Sequence, residues 1–395
     1  MAANLLRSIG WDVTIFERAT GDLSTRGAGI GASHELVDVM QRIGARFDAS
    51  AGVANSSYVW MERDGSIAFE YKRSNISSAW QRVYRPLRDV TPDTIYRQAM
   101  NLFRIEQNDG SVTALFSDGS RESGDLLVAS DGLLSTVREQ FLPDVAPRYA
   151  NYVAWRGIAQ ERDVPQWARQ AIAGRVVNCF PEGEQVLTMA VPGSDEDIRP
   201  GHRRFYIIWY RPADPEQLNA LCTGIDGKHY DQSIPPPLIR PQFTDALRAQ
   251  AEKSLPPAAA EVLKASPLYL LQAINDMESP QMTFGRVAIM GDAAFVARPH
   301  SAAGVTKAAL DAKCLADELQ RCGDDVFEAL AAYNDQRLEF GRALVSHARY
   351  LGAYIEGQTK PVSERSERER KRDPKQIITD YGAPHLLHDV QIEET

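Results

Sequence analysis

Gly285-Arg-Val-Ala-Ile-Met-Gly-Asp-Ala-Ala294 continues through Phe-Val-Ala-Arg-Pro-His-Ser-Ala-Ala-Gly304 into a stretch reaching Leu319. Val287 to Met290 is apolar, too short for a helix and closed by Gly291, the pattern of a buried parallel strand. Asp292 follows at its carboxyl end, where open α/β sheets hold their ligands. Neither Pro nor Gly interrupts the chain between Gly304 and Gly323. Leu310, Leu315 and Leu319 there share one face, so a helix is expected to begin near Gly304. A strand, an acidic residue, a Gly/Pro loop and a helix N-terminus together suit a polar, partly anionic cofactor. An ordinary strand-to-helix connection with a surface aspartate has the same local pattern.

The same logic recurs upstream. Asp125-Leu-Leu-Val-Ala-Ser-Asp-Gly132 is a buried run ending in Asp131 and Gly132. Ser135 can cap the helical turn that follows, and Arg138 on that turn can face phosphate or carboxylate, or simply the surface. Before it, Met1 to Gly10 reads as the end of a helix and Trp11 to Glu17 as a strand. An acidic residue at such a strand tip typically bonds a ribose hydroxyl. A first strand and Gly-x-Gly-x-x-Gly loop, which should precede Glu17, are absent from the sequence. Thr25 to Gly31 is a glycine-rich turn, His34 to Ile43 a helix, and Asp64-Gly65 and Asp109-Gly110 are hairpin turns. From Tyr149 the texture turns aromatic and strand-like, in Tyr152–Gly157, Gln185–Gly193 and Arg203–Tyr210, which suggests an antiparallel sheet walling an apolar pocket. Glu364 to Arg372 is a mixed-charge run expected to be solvated.

The fold class expected is therefore α/β: a Rossmann-like domain built on a parallel sheet lacking its first strand, plus an antiparallel-sheet substrate domain. Residues 1–70, 95–148 and 275–352 are assigned to the first domain. Residues 71–94 and 149–274 are assigned to the second, and 353–395 form a C-terminal tail. A net charge of -9 argues against nucleic-acid partners. No stretch resembles a membrane span or signal peptide, and Cys179, Cys222, Cys314 and Cys322 show no metal spacing. No metal and no membrane partner are expected, and a reducing cytoplasm fits best.

Taken together, Val13 to Glu17-Arg18, Ala129 to Arg138 and Gly285 to Ala294 resemble the flavoprotein aromatic hydroxylases, whose best-known fold is that of p-hydroxybenzoate hydroxylase. Tyr152-Val-Ala-Trp-Arg-Gly157, Val191-Pro-Gly193 and Arg298 to Ala308 are similar to the 2,6-dihydroxypyridine 3-hydroxylase branch. The resemblance implies FAD and NAD(P)H as cofactors, and a small aromatic substrate with O₂ as partners. It implies ring hydroxylation through a flavin C4a-hydroperoxide. It makes Glu17, with Arg18 beside it, the adenosine-ribose end. It associates Asp131 and Gly132 with flavin or nicotinamide, sets Arg138 near the cofactor, and makes Asp292, after Gly291, the ribityl ligand. Pro299, Ala303 and Gly304 would line the flavin ring, with the helix dipole at its N1/O2 edge. His300 is the candidate for proton exchange, a hydrogen bond to the loop being its competing role. Trp155, Arg156, Tyr206 and Trp209 are candidates for the substrate pocket, and a homodimer is left open. Two further readings compete: a truncated, flavin-free homologue acting as a binding protein or partner subunit, and another flavin oxidoreductase. The Trp-x-Trp-x-Ile motif of flavin halogenases does not occur.

Overall fold

The computed structural model describes residues 1–24 and 29–388. Its largest element is a nine-stranded sheet. The strand order is Phe295–Val296, Tyr269–Glu278, Arg148–Gln160, Arg204–Pro212, Gln185–Val191, Arg175–Cys179, Gly52–Met61, Ile67–Ala79 and Gly29–Ala32. All neighbours run antiparallel except Arg175–Cys179 against Gly52–Met61.

Register decides which side chains face the ligand. Arg148–Gln160 and Arg204–Pro212 pair with Trp155 opposite Trp209, Arg156 opposite Ile208, and Ile158 opposite Tyr206. Side chains alternate between faces along a strand. Val153, Trp155, Phe205, Ile207 and Trp209 therefore enter a core covered by the helices Pro241–Ser254 and Pro257–Ala265. Tyr152, Ala154, Tyr206, Ile208 and Tyr210 turn to the opposite face.

The strand read from the opening stretch is Val287–Ile289, parallel to Leu127–Ala129. All three residues of Val287–Ile289 are fully buried. Ile15–Phe16 is parallel to Tyr96–Arg97. These are two separate pairs, and no strand among the described residues bridges them. The single parallel sheet expected from the sequence is thus found in two pieces, and the strand expected over Trp11–Glu17 is only two residues long. The helices Ala2–Ser8, Gly304–Cys322 and Val326–Gly357 pack a common core with these strands through Leu5, Ala309, Leu315 and Tyr333.

On the long helix two glycines allow close approach. A side chain at Gly341 would collide with the Phe295 ring, and one at Gly352 with the Tyr152 hydroxyl.

Three expectations need correction. The domain boundary at 70/71 cuts the strand Ile67–Ala79, and Gly29–Ala32, Gly52–Met61 and Phe295–Val296 from the assigned first domain join the large sheet with strands of the assigned second. Of the turn over Thr25–Gly31, residues 25–28 lie outside the described residues, while Gly29–Ala32 is an edge strand. The mixed-charge run Glu364–Arg372 is mostly exposed, as expected, but beyond it the tail packs back on the body through buried Ile377, Ile378, Tyr381 and Leu387. Within the mixed-charge run, Arg372 lies over Phe180 and Tyr354, and Glu369 is buried beside Lys360.

Candidate active site

A cavity of about 320 Å³ lies between the large sheet and the N-terminus of the helix Gly304–Cys322. One wall is the loop Ala297–Thr306 with Asp292, the second is the sheet face carrying Arg156, Tyr206 and Ile208, and the third is Tyr381, Gly382, Leu387 and His388.

The loop wall is held by two buried ionic clusters. Gly291, at a φ of +59 that favours glycine, donates its N–H to Asp311 Oδ2 at 3.0 Å, and its carbonyl accepts from Lys307 Nζ at 2.7 Å. Asp311 also accepts from Lys307 Nζ at 2.9 Å and Arg337 Nε at 2.8 Å, and the two cations hold its carboxyl below the usual range against the cost of burial. The turn that aims Asp292 is therefore clamped from behind. Asp292 itself is open to the cavity, yet the protein crowding its other sides pushes its carboxyl up. Nearby Asp311 adds to that shift and Lys307 opposes it. In the second cluster, fully buried Arg298 donates to Asp276 at 2.7 Å and to Glu356 at 2.7 Å. Arg349 and Arg148 complete that cluster from the other side of Asp276. The helix itself has no side-chain cap, so the first-turn amides of Gly304, Val305 and Thr306 meet the cavity. Ser33 Oγ and Thr306 Oγ1, 2.9 Å apart, tie this end to the helix His34–Arg42.

On the sheet wall, Asn75, Ser77, Gln272 and Asn275 also line the cavity, but the charge at its centre is Arg156. Arg156 donates to the Tyr206 hydroxyl, and its Nε finds no acceptor. Burial works against its charge, and the hydroxyls of Tyr206, Tyr210 and Tyr381 more than offset it, so the guanidinium stays above its ordinary value. No carboxylate pairs with Arg156 among the described residues. Gly29 on the edge strand admits the Tyr206 ring: a Cβ there would stand 2.8 Å from it.

Of the expected site residues, Gly291 sets the turn, while Asp292, Pro299, Ala303, Gly304, Arg156 and Tyr206 meet at this cavity. Trp155 and Trp209 do not. They face the helix-covered core, where Trp209 Nε1 donates to Glu184 at 2.8 Å. Arg138 is buried, with its guanidinium bonded to the carbonyls of Leu133, Val145 and Ala293, so it braces the loop from behind. Asp131 accepts from Val137 N–H at 3.2 Å, Gly132 supplies a φ of +82, and the next residue, Leu133, reaches the cavity. Glu17 accepts from Ala19 N–H at 2.8 Å outside the cavity wall, and Arg18 is exposed.

His300 is corrected as a base. It is buried behind the loop, hydrogen-bonded through Nε2 to Tyr152 Oη at 2.9 Å and packed 4.2 Å from the Tyr210 ring centroid. Burial and the charges of Arg298 and Arg156 push it down to about 3, so it stays neutral at physiological pH. Sequence reasoning missed Tyr381, Leu387 and His388, which reach the cavity from the chain's other end. Among the described residues no cluster of metal-ligating groups occurs, and no helix is long and apolar enough to cross a membrane.

A family model described as FAD binding domain-like matches residues 149–276. The 2,6-dihydroxypyridine 3-monooxygenase of Paenarthrobacter nicotinovorans is 27% identical over 361 residues, covering 90% of this chain and 88% of that protein. The solved structure of 2,6-dihydroxypyridine-3-hydroxylase from Arthrobacter nicotinovorans matches with a TM-score of 0.85 at 24% identity, over 100% of this chain and 95% of the other. HpxO of Klebsiella pneumoniae, solved with FAD and uric acid, matches at 0.75 and 24% identity, over 98% and 92%. The α/β fold expected from the sequence is borne out. Other relatives are likewise named as ring hydroxylases or monooxygenases, so the resemblance to FAD-dependent aromatic hydroxylases holds and a flavin-free binding protein is not favoured.

Proposed function

We propose that this chain is an FAD-dependent, NAD(P)H-consuming monooxygenase that hydroxylates an electron-rich ring of the hydroxypyridine or phenol type. One observation carries the reading. A single cavity joins an uncapped helix N-terminus and a raised aspartate to a half-buried arginine with no carboxylate partner.

The residues present fit FAD. The first-turn amides at Gly304 and the helix dipole suit the electron-rich edge of a flavin. Asp292 suits a polyol hydroxyl, and Gly31 and Ala302 keep the loop wall narrow for a flat ring. When bound, FAD supplies hydride acceptance from NAD(P)H and activation of O₂.

The chain's own residues do the rest. Arg156 and Tyr206 hold the oxygen substituent of the substrate ring, and the arginine charge favours its deprotonated, more nucleophilic form. Val176, Met189, Val191 and Ile208 line the cavity and keep water from the reacting atoms. The Lys307–Asp311–Arg337 and Arg298–Asp276–Glu356 clusters fix the loop so that the ring is met in one orientation. Asp131 and Gly132 are assigned to the flavin or nicotinamide side, and Glu17 and Arg18 to the adenosine end. All four cysteines are free, which agrees with a cytoplasmic enzyme.

The test is the visible spectrum of the purified chain after incubation with FAD and desalting. It is followed by NAD(P)H oxidation with dihydroxypyridines, hydroxynicotinate and phenols, and identification of the product. Retained flavin with ring-dependent oxidation and a hydroxylated product is expected. A chain that holds no flavin and oxidises no NAD(P)H with any such ring overturns the proposal.

A further inference from the structure

The third wall of the cavity comes from a segment with neither ladder nor helix of its own. The short helix Pro374–Asp380 ends at Tyr381, and Gly382 (φ +80) and Ala383 (φ +53) then turn the chain back across the cavity. The crossing segment is fastened at both ends. Arg73 donates to the Tyr381 carbonyl at 2.6 Å, and the Asp380 carbonyl lies 2.9 Å from His347 Nε2. At the far end His34 N–H donates to the His388 carbonyl at 2.9 Å, and His388 N–H donates to Glu35 at 2.9 Å. Between these fastenings Leu387 packs on Ala303 and Leu344, touching the residue from which the Gly304 helix starts. Tyr381 is buried against Tyr58, with ring centroids 5.8 Å apart, in the same cluster as Tyr206 and Ile208. Arg156 and Tyr206 are among the charges and hydroxyls it feels, and burial pushes its own hydroxyl up to about 12, so it remains a neutral donor.

Resting on the hydroxylase reading, we infer that Tyr381 is a specificity-determining residue of the ring cavity, presented by a C-terminal strap, Tyr381–His388. Its ring closes the side of the cavity that the sheet and the loop leave open. Tyr381 lines the same cavity as Arg156 and Tyr206, and its hydroxyl feels both. The strap thus sets both the width available to the ring and the number of oxygen substituents that find a partner. Between its two fastened ends it has no ladder or helix of its own, so it is also the wall that yields to admit the ring.

The test uses the full chain incubated with FAD, and 2,6-dihydroxypyridine as the probe. Tyr381→Ala is expected to weaken probe binding about tenfold, as truncation of a buried aromatic anchor does. It should also raise the share of NAD(P)H consumed without hydroxylated product, with flavin content unchanged. Tyr381→Phe keeps the wall and loses only the hydroxyl, so it should retain the product ratio while binding roughly threefold more weakly. Wild-type probe affinity and product ratio in Tyr381→Ala would sink the inference. A measurement on the unmutated chain guards against a variant that fails to fold. Chymotryptic cleavage after Tyr381, Leu386 or Leu387 should slow severalfold with the probe present, and an unchanged rate overturns the strap. Probe affinity and proteolysis need no turnover. Loss of flavin and NAD(P)H oxidation in the wild type would therefore break the hydroxylase reading without deciding these two readouts.

Discussion

Arg298 and Arg156 are both taken out of bulk water, and they differ in what surrounds them. Arg298 meets the two carboxylates Asp276 and Glu356, each at 2.7 Å, and against the cost of burial these and Tyr152 hold its charge more firmly than usual. Arg156 meets tyrosine hydroxyls and no carboxylate, while each guanidinium keeps one nitrogen without an acceptor. A desolvated cation is costly unless paired. The first cation is balanced by the protein's own carboxylates, whereas the second is left for a ligand's oxygen to balance. The difference separates the region that builds the site from the region that uses it.

The comparison breaks most readily at Arg298. Arg298→Met leaves Asp276 and Glu356 buried around a missing cation, and should cost about 3–5 kcal/mol of stability, read from the urea unfolding midpoint. A midpoint within error of wild type would mean that Arg349 and Arg148 suffice for both carboxylates. Arg156→Leu should do the opposite. Stability stays level or rises, while kcat/KM for the ring falls roughly 100-fold, the worth of about 2–3 kcal/mol of charge-assisted hydrogen bonding. An Arg156→Leu chain that unfolds with activity intact would reverse the assignment.

Asp292 sharpens the contrast as the carboxylate facing the cavity. Asp292→Asn should weaken FAD retention about tenfold, the loss of one charge-assisted hydrogen bond. Because the folded protein raises the pKa of this carboxyl, it favours stability at low pH and loses that contribution as pH rises through the folded value. The flavin-free Asp292→Asn chain should therefore match wild type in acid and melt higher than it at pH 8. Near neutral pH the smallest effect belongs to His300, which feels both arginines. Its folded value of about 3 lies below the ordinary value of about 6.5. Folding stability is therefore whole above pH 6.5 and falls as pH drops toward 3, and His300→Gln should flatten that fall in the melting temperature. In Arg156→Leu the ring should titrate at a higher pH by NMR, and an unmoved titration would separate the two residues.

The strand-loop-helix stretch around Asp292 was legible because its signals are local: an apolar run, a glycine, an uninterrupted amphipathic stretch. The parity of the sheet was legible too, but unused. Trp155 and Arg156 are adjacent on one strand and cannot face the same side, and the odd positions are the uniformly apolar set. Arg138 was misjudged because sequence does not show that backbone carbonyls occupy its guanidinium. His300 was misjudged because only the fold brings Arg298 and Arg156 beside it. The strap was invisible for a related reason. Tyr381 and Leu387 sit in a short Gly/Ala/Pro-containing stretch with no helical or strand periodicity, and what buries them is far away in the chain.

Phe295–Val296 follows the Asp292 turn directly and joins the edge of the nine-stranded sheet, with Val296 paired to Met277. The loop read as the cofactor wall and the sheet that carries Arg156 are thus one hydrogen-bonded fabric. A chimera that exchanged the sheet between two relatives at residue 276 would leave that edge strand behind, mismatched to its new neighbour and to the Gly341 hollow that receives Phe295. The unit of inheritance for ring choice in this chain therefore runs through residue 296, and recombination that respects it carries the Asp292 turn along.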